Sequence, residues 1–146
     1  MSFLIDTNVV SETRKRVPDA QVLAWLQQVD QKDLFISVLT IGELTKGVAK
    51  RGHTDPRAAA ALEHWVRGIE RLFSDHVIPI DSEIAAAWGR LDADTPLPVV
   101  DALLAATAKV HGLVLVTRNV KDFEQTQVRT INPWVSDASS PMNGNL

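Results

Sequence analysis

The sequence predicts an α/β fold of three layers, with a short, mostly parallel central sheet between two layers of helices. Two observations carry this. Short apolar runs alternate with longer stretches whose apolar residues recur every three or four positions, the pattern of strands interleaved with amphipathic helices. The short runs are also apolar at consecutive positions, as in Phe3-Leu4-Ile5 and Leu113-Val114-Leu115-Val116, which fits strands covered on both faces.

The elements follow in order. Residues 2–5 read as the first strand, closed by Asp6. Asp6-Thr7-Asn8 suits a turn and a helix start, and residues 9–13 a short helix. After the basic patch Arg14-Lys15-Arg16, Pro18 is expected to open an amphipathic helix with Val22, Leu23, Trp25, Leu26 and Val29 as its apolar positions. Residues 33–37 read as the second strand and residues 38–50 as a helix stopped at Arg51-Gly52. Asp55-Pro56 is an N-cap followed by a first-turn proline, opening a helix that runs to about Phe73. Residues 77–80 form the third strand candidate, and Asp81 the N-cap of a helix over residues 82–91. Two prolines stiffen the loop at residues 94–98. A helix then spans residues 99–111, with Gly112 as its stop, ahead of strands at residues 113–116 and 128–131. Trp25, Trp65 and Trp88 lie on amphipathic helices and are expected in the core.

One domain over residues 1–135 accounts for this pattern, and the small polar residues 136–146 are expected to be a disordered tail. With 146 residues the chain buries a core without staples, and with no cysteine it can build neither a zinc–thiolate site nor a thiol nucleophile. No apolar run approaches ~20 residues and the start lacks a basic leader, so a cytoplasmic location is expected. The net charge of −3 does not advertise a nucleic-acid binder, although metal ions can supply positive charge where a phosphate must sit.

In open parallel sheets ligands bind outside the carboxyl ends of the strands. Asp6 follows the first strand and Asn119 the strand at residues 113–116, while Glu43 and Asp101 lie early in helices at the same edge. Four oxygen-bearing residues distant in sequence thus converge. Clustered carboxylates repel one another, and a hard divalent cation reverses that repulsion. An oxygen-only set without His or Cys favours Mg2+ or Mn2+ over zinc. Each acid also has a structural role open to it. Asp6 suits a turn cap, Thr40-Ile41-Gly42-Glu43 matches a capping box, and Asp101 complements a helix dipole. Asp101 shares its side of the helix with Ala105 and Ala108, which permits close packing around the carboxylate. Lys46, Lys50, Arg51, Arg118 and Lys121 lie near these acids and are candidate contacts for the phosphates of a nucleic acid, whereas Arg14–Arg16 reads as solvated surface. His53, His64, His76 and His111 show no metal-ligand spacing.

Four segments carry a family resemblance. They are Phe3-Leu4-Ile5-Asp6-Thr7-Asn8-Val9, the segment from Ile36 to Leu44 bearing Ser37 and Glu43, the segment from Val100 to Ala108 bearing Asp101, and the segment from Leu115 to Phe123. Together with the closing Ile131-Asn132-Pro133-Trp134, they resemble the PIN-domain family, in its VapC/FitB-type toxin branch, over nearly the whole chain. The resemblance implies a PIN-like fold and a metal-dependent endoribonuclease, the toxic half of a toxin–antitoxin pair. It implies Asp6 and Asp101 as principal metal ligands, Glu43 as the third acid, and Thr7, Ser37 and Thr117 as supports of the site. Many members carry a fourth acid where this chain has Asn119, and Asp122 is placed to compensate. The resemblance further implies a homodimer and a small antitoxin that blocks the site and binds promoter DNA. In-line attack by water would leave a 5′-phosphate and a 3′-hydroxyl, with no protein nucleophile.

Other classes fit less well. A haloacid-dehalogenase-type phosphatase needs a second Asp where Asn8 stands. A receiver domain needs an acid pair and a lysine at places where this chain has neither. The alternative that remains is a catalytically silent PIN-fold module acting in a regulatory complex with a DNA-binding partner, against which Asp6, Glu43 and Asp101 argue.

Overall fold

The computed structural model describes residues 1–135. The strands are β1 (Phe3–Ile5), β2 (Leu34–Ser37), β3 (Val77–Ile78), β4 (Val114–Val116) and β5 (Thr130–Ile131). The helices are α1 (Thr7–Glu12), α2 (Ala20–Gln28), α3 (Val38–Gly52), α4 (Pro56–Leu72), α5 (Ser82–Asp94) and α6 (Val99–His111), with 3₁₀ turns at Gln31–Asp33 and Val120–Thr126. The strands form one sheet in the order β3-β2-β1-β4-β5, and every pairing is parallel. The expected tail at residues 136–146 lies outside the described residues.

Strand alternation sorts the core into two halves. Phe3 and Ile5, Leu34 and Ile36, and Val114 and Val116 point to the side covered by α2, α3 and α4. Leu4, Phe35, Ile78 and Leu115 point to the opposite side, packed by α5 and α6. Both faces are therefore dry, which is why the strands read as unbroken apolar runs. Trp25 is buried edge-on against Phe3, with ring centroids 5.1 Å apart, and Trp65 and Trp88 pack against the two halves of the core. His76 is structural: its ring stacks on Phe35 and its Nδ1 lies 2.8 Å from the Leu34 carbonyl oxygen.

Side-chain caps set the helix starts. Asp19, Asp55 and Asp81 accept from backbone N–H groups of the first turns of α2, α4 and α5. The start of α2 differs from the proline-led expectation. Pro18 precedes the cap, and Asp19 opens the helix because its carboxylate satisfies both Gln21 N–H and Val22 N–H. The capping box at Thr40–Glu43 does not form either. The chain passes from β2 into α3 without a loop, so Ser37 is the cap, accepting from Leu39 N–H at 3.0 Å, and Thr40 already lies within the first turn. This leaves the Glu43 carboxylate available for other contacts. Helix α1 begins two residues earlier than expected, with Asp6 as its N-cap, and α5 runs on to Asp94.

Helix α6 stops at Gly112, whose φ of 64° lies in the left-handed region. A Cβ there would meet no atom within 4 Å, so any penalty is conformational and not steric crowding. Gly112→Ala is expected to lower unfolding free energy by about 1 kcal/mol, with an unchanged denaturant m-value, in equilibrium urea titrations.

Candidate active site

The strand order reverses between β1 and β4, because β1 leads to β2 on one side of the sheet while β4 lies on the other. A crevice opens at the carboxyl ends of such a pair. Asp6 stands at its lip. Its backbone N–H donates to the Val116 carbonyl at 2.9 Å, which extends the β1–β4 ladder by one residue and fixes the Asp6 backbone to the sheet. Three donors converge on its carboxylate: Thr7 N–H at 2.7 Å, the Thr117 hydroxyl at 2.8 Å and Asn8 Nδ2 at 3.4 Å. Thr117 is fully buried, and its Oγ1 accepts from the Asn119 N–H at 3.1 Å. One hydroxyl thus ties the end of β4 to Asp6 and shapes the following turn.

The remaining acids come from three elements. Glu43, on α3, accepts from the Thr7 hydroxyl at 2.6 Å. Thr7 Oγ1 also lies 3.0 Å from Thr40 Oγ1. A hydroxyl has one proton, so with Thr7 donating to Glu43, the Thr40 proton makes the second contact. Asp101, half-buried in the first turn of α6, has neither a hydrogen bond nor an ion pair among the described residues. Asp122 lies in the first turn of the second 3₁₀ segment, whose N-cap position is Asn119.

The electrostatics bind these acids into one site. Burial pushes the Asp6 carboxyl up, its Thr117 and Thr7 hydrogen bonds oppose that rise, and the negative charge of Glu43 adds to it. Burial likewise raises Asp101, and the charges of Asp6, Asp122 and Glu43 raise it further, with no cation or donor opposing. Asp6, Glu43, Asp101 and Asp122 therefore share one negative field.

This donor set fits a hard divalent cation. It is all oxygen, it carries excess negative charge, and beside it the Asn8 Oδ1 is buried without a hydrogen-bond partner. Among the described residues, no three acids sit close enough to form a preformed cage. Mg2+ does not require one, because it is usually held by one or two carboxylates and keeps several waters.

The other anticipated residues fall as follows. Ser37 is fully buried and acts on the site through α3, by capping the helix that carries Glu43. The Asn119 side chain is exposed and makes no hydrogen bond among the described residues, whereas Asp122 enters the field of Asp101. Lys46 and Lys50 are exposed on α3 and form no ion pair with Glu43. Sequence reasoning missed Asn8 and Thr40 as contacts of the site. It also missed Glu12, which is 4% exposed. Glu12 pairs with Lys15 Nζ at 2.8 Å and accepts from Asp19 N–H at 2.9 Å, and these contacts with the nearby Arg118 charge hold its carboxyl below the ordinary range. Glu12 in fact clasps the basic loop between α1 and α2. The only sequence signal for that is an acid three residues before a lysine.

Residues 3–128 match the family model described as PIN domain. The chain belongs to the PIN-domain family. Among curated relatives, it is 32% identical over 138 residues to the VapC ribonuclease Y4jK of Sinorhizobium fredii, covering 90% of this chain and 97% of that protein. The crystal structure of FitAcB from Neisseria gonorrhoeae superposes with a TM-score of 0.85 at 31% identity, covering 92% of this chain and 99% of that one. A toxin–antitoxin complex from Klebsiella pneumoniae gives a TM-score of 0.62 at 30% identity, covering 90% and 98%. The PIN domain here shares the fold of these neighbours, and its own parallel sheet has Asp6 at the switch point.

The raised carboxyls of this PIN domain have a consequence for stability. A carboxyl whose pKa is raised on folding binds its proton more tightly in the folded state. Its ionisation therefore destabilises the fold above the folded pKa, and the penalty disappears below the ordinary value of 3.8. Asp101→Asn is expected to melt at a higher temperature than the parent at neutral pH in EDTA. The gap should narrow as pH falls toward 3.8, as read by circular dichroism.

Proposed function

We propose that this chain is the toxin of a toxin–antitoxin pair and hydrolyses RNA phosphodiester bonds as a Mg2+-dependent endoribonuclease, with Mn2+ as a substitute. The observation that carries this is Asp6 at the sheet's switch point, joined to Glu43 through Thr7, with the half-buried Asp101 carboxylate left without a hydrogen bond or ion pair among the described residues. The ribonuclease relative and the toxin–antitoxin neighbour support the same reading.

In this reading Asp6 and Asp101 hold the cation, Glu43 completes the acidic triad, and Asn119 or Asp122 occupies the fourth position. A divalent cation bound there would act as a Lewis acid toward a phosphoryl oxygen and would make water a better nucleophile at neutral pH. The residues of the chain supply position. Thr7 N–H and Thr117 hold the Asp6 carboxylate at fixed orientation, and the Thr7 hydroxyl holds Glu43 on the facing helix. Ser37 supports the site by anchoring α3. Lys46, Lys50 and Arg118 line the RNA path and offset the overall negative charge. Water attacks the scissile phosphorus in line and the 3′-oxygen leaves, with no side chain as the attacking group, so the products carry a 5′-phosphate and a 3′-hydroxyl.

The partners follow from the same reading: a small DNA-binding antitoxin that covers the acidic crevice, contact with promoter DNA only through that antitoxin, and a second copy of this chain in a homodimer. No helix among the described residues is long and apolar enough to cross a membrane. A silent binding module fits less well, since it would carry the repulsion of Asp101 with its neighbours without using it.

Incubation of a mixed RNA pool with the purified chain tests the proposal. Cleavage is expected in Mg2+, none in EDTA, and a loss of at least about 100-fold in both Asp6→Asn and Asp101→Asn. Product ends bearing 2′,3′-cyclic phosphate would contradict the water-attack scheme.

A further inference from the structure

The segment Ile131-Asn132-Pro133-Trp134 lies outside the catalytic acids, yet it closes around one residue beside them. Arg118 immediately follows Thr117, whose hydroxyl bonds Asp6. The Arg118 guanidinium carbon lies 4.9 Å from the centre of the Trp134 ring. The Arg118 carbonyl accepts from Asn132 Nδ2 at 3.4 Å, and Asn132 Oδ1 in turn accepts from Trp134 N–H at 2.9 Å. Asn132 therefore bridges the backbone of the arginine and the backbone of the residue that carries its ring. The Trp134 side chain packs partly into the core, which anchors the platform.

This arrangement is unusual for an arginine whose charge is felt by a carboxylate, that of Glu12. Its default partner would be an acid, yet among the described residues Arg118 makes no ion pair and donates no side-chain hydrogen bond. Glu12 lies near enough for its carboxyl to feel the Arg118 charge, but its close contacts are Lys15 Nζ and Asp19 N–H. A guanidinium over an aromatic ring is attracted to the ring's π face, and that attraction requires none of its five N–H donors to be hydrogen-bonded. The side chain is exposed, so those donors face solvent. An arginine pre-oriented in this way matches a phosphodiester, which it can bind through two parallel hydrogen bonds.

We propose that Arg118 binds a backbone phosphate of the RNA strand beside the acidic crevice, and that Trp134 and Asn132 are positioning residues that hold the guanidinium for that contact. This rests on the ribonuclease reading. It assigns the closing segment of the domain to substrate placement: the strand is gripped through a phosphate on one side of Asp6, while the scissile phosphate lies at the acids.

The test is fluorescence anisotropy of a short labelled single-stranded RNA with the full chain in EDTA, at several salt concentrations. Arg118→Ala is expected to raise Kd about tenfold and to reduce the slope of log K against log salt by roughly 0.7, the loss of one phosphate contact on a single strand. Trp134→Leu, which keeps an apolar side chain in the core, is expected to raise Kd about two- to fivefold with little change in slope, and Trp134→Phe to restore most of that loss. In the Trp134→Leu background, Arg118→Ala should cost less than in the parent, which shows the two residues act as a unit. Cleavage assays in Mg2+ on the same preparations separate the two readings. An active parent whose affinity and salt slope ignore Arg118→Ala overturns the phosphate contact alone. A parent that neither binds nor cleaves RNA overturns both. Weakened affinity in Trp134→Leu that Trp134→Phe does not restore, beside an additive Arg118→Ala effect, overturns the positioning role of the ring.

Discussion

Carboxylates brought together at the end of β1 and β4 repel one another, and much of the surrounding structure serves to keep them there. Asp6 is held most firmly. Its backbone belongs to the sheet through the Val116 carbonyl, and its side chain is fixed by Thr7 N–H and the Thr117 hydroxyl. Those donors stabilise the ionised form, yet burial outweighs them and leaves the carboxyl raised. Asp101 has the burial and the like charges without the donors. The site thus pairs one carboxylate locked by the scaffold with another that waits for a counter-charge. That asymmetry is what a hard cation needs: one ligand pre-oriented, another with no competing partner.

The fold supplies this arrangement through topology. Four parallel pairings bring the ends of β1, β2 and β4 to one edge, and the helices that follow β1 and β2 start there. Glu43 sits on the helix that Ser37 caps, and the Thr7–Thr40 contact joins the first turns of α1 and α3. Repulsion among the acids is offset by the apolar layers beneath, where Leu4, Ile36, Leu115 and Val116 are fully buried. Stability held in the core is set against repulsion at the site, a pattern expected where polar geometry is kept for chemistry.

Much of this was legible in the amino-acid order. Consecutive apolar residues gave β1 and β4, Asp55-Pro56 and Asp81 marked the starts of α4 and α5, and Gly112 marked the end of α6, each because a local rule and the global fold agree there. The convergence of Asp6, Glu43 and Asp101 was also legible, since parallel connections return the chain to the same edge. What escaped were decisions made between elements. The Thr40–Glu43 capping box is a sound local motif, but β2 runs straight into α3, so the cap moves to Ser37 and Glu43 turns to Thr7. Thr40 and Asn8 look like ordinary helix-start residues in sequence and Glu12 like an ordinary helix-end residue, and only tertiary packing brings Thr40 to Thr7 and buries Glu12. Asn119 and Asp122 were both legible as candidates for the fourth position; the Asn119 side chain is exposed, and Asp122, three residues on, adds to the negative charge felt by Asp101.

If the crevice is a cation site, the ion should relieve the repulsion that the fold tolerates, and that gain should appear as stability. The direct measurement is the melting temperature of the parent chain as Mg2+ or Mn2+ is added, beside Asp6→Asn/Asp101→Asn prepared in the same way. The account predicts a saturable rise in the parent and almost none in the double variant. Equal responses in both proteins, or no response in the parent across millimolar metal, would contradict the assignment of these acids to a divalent cation.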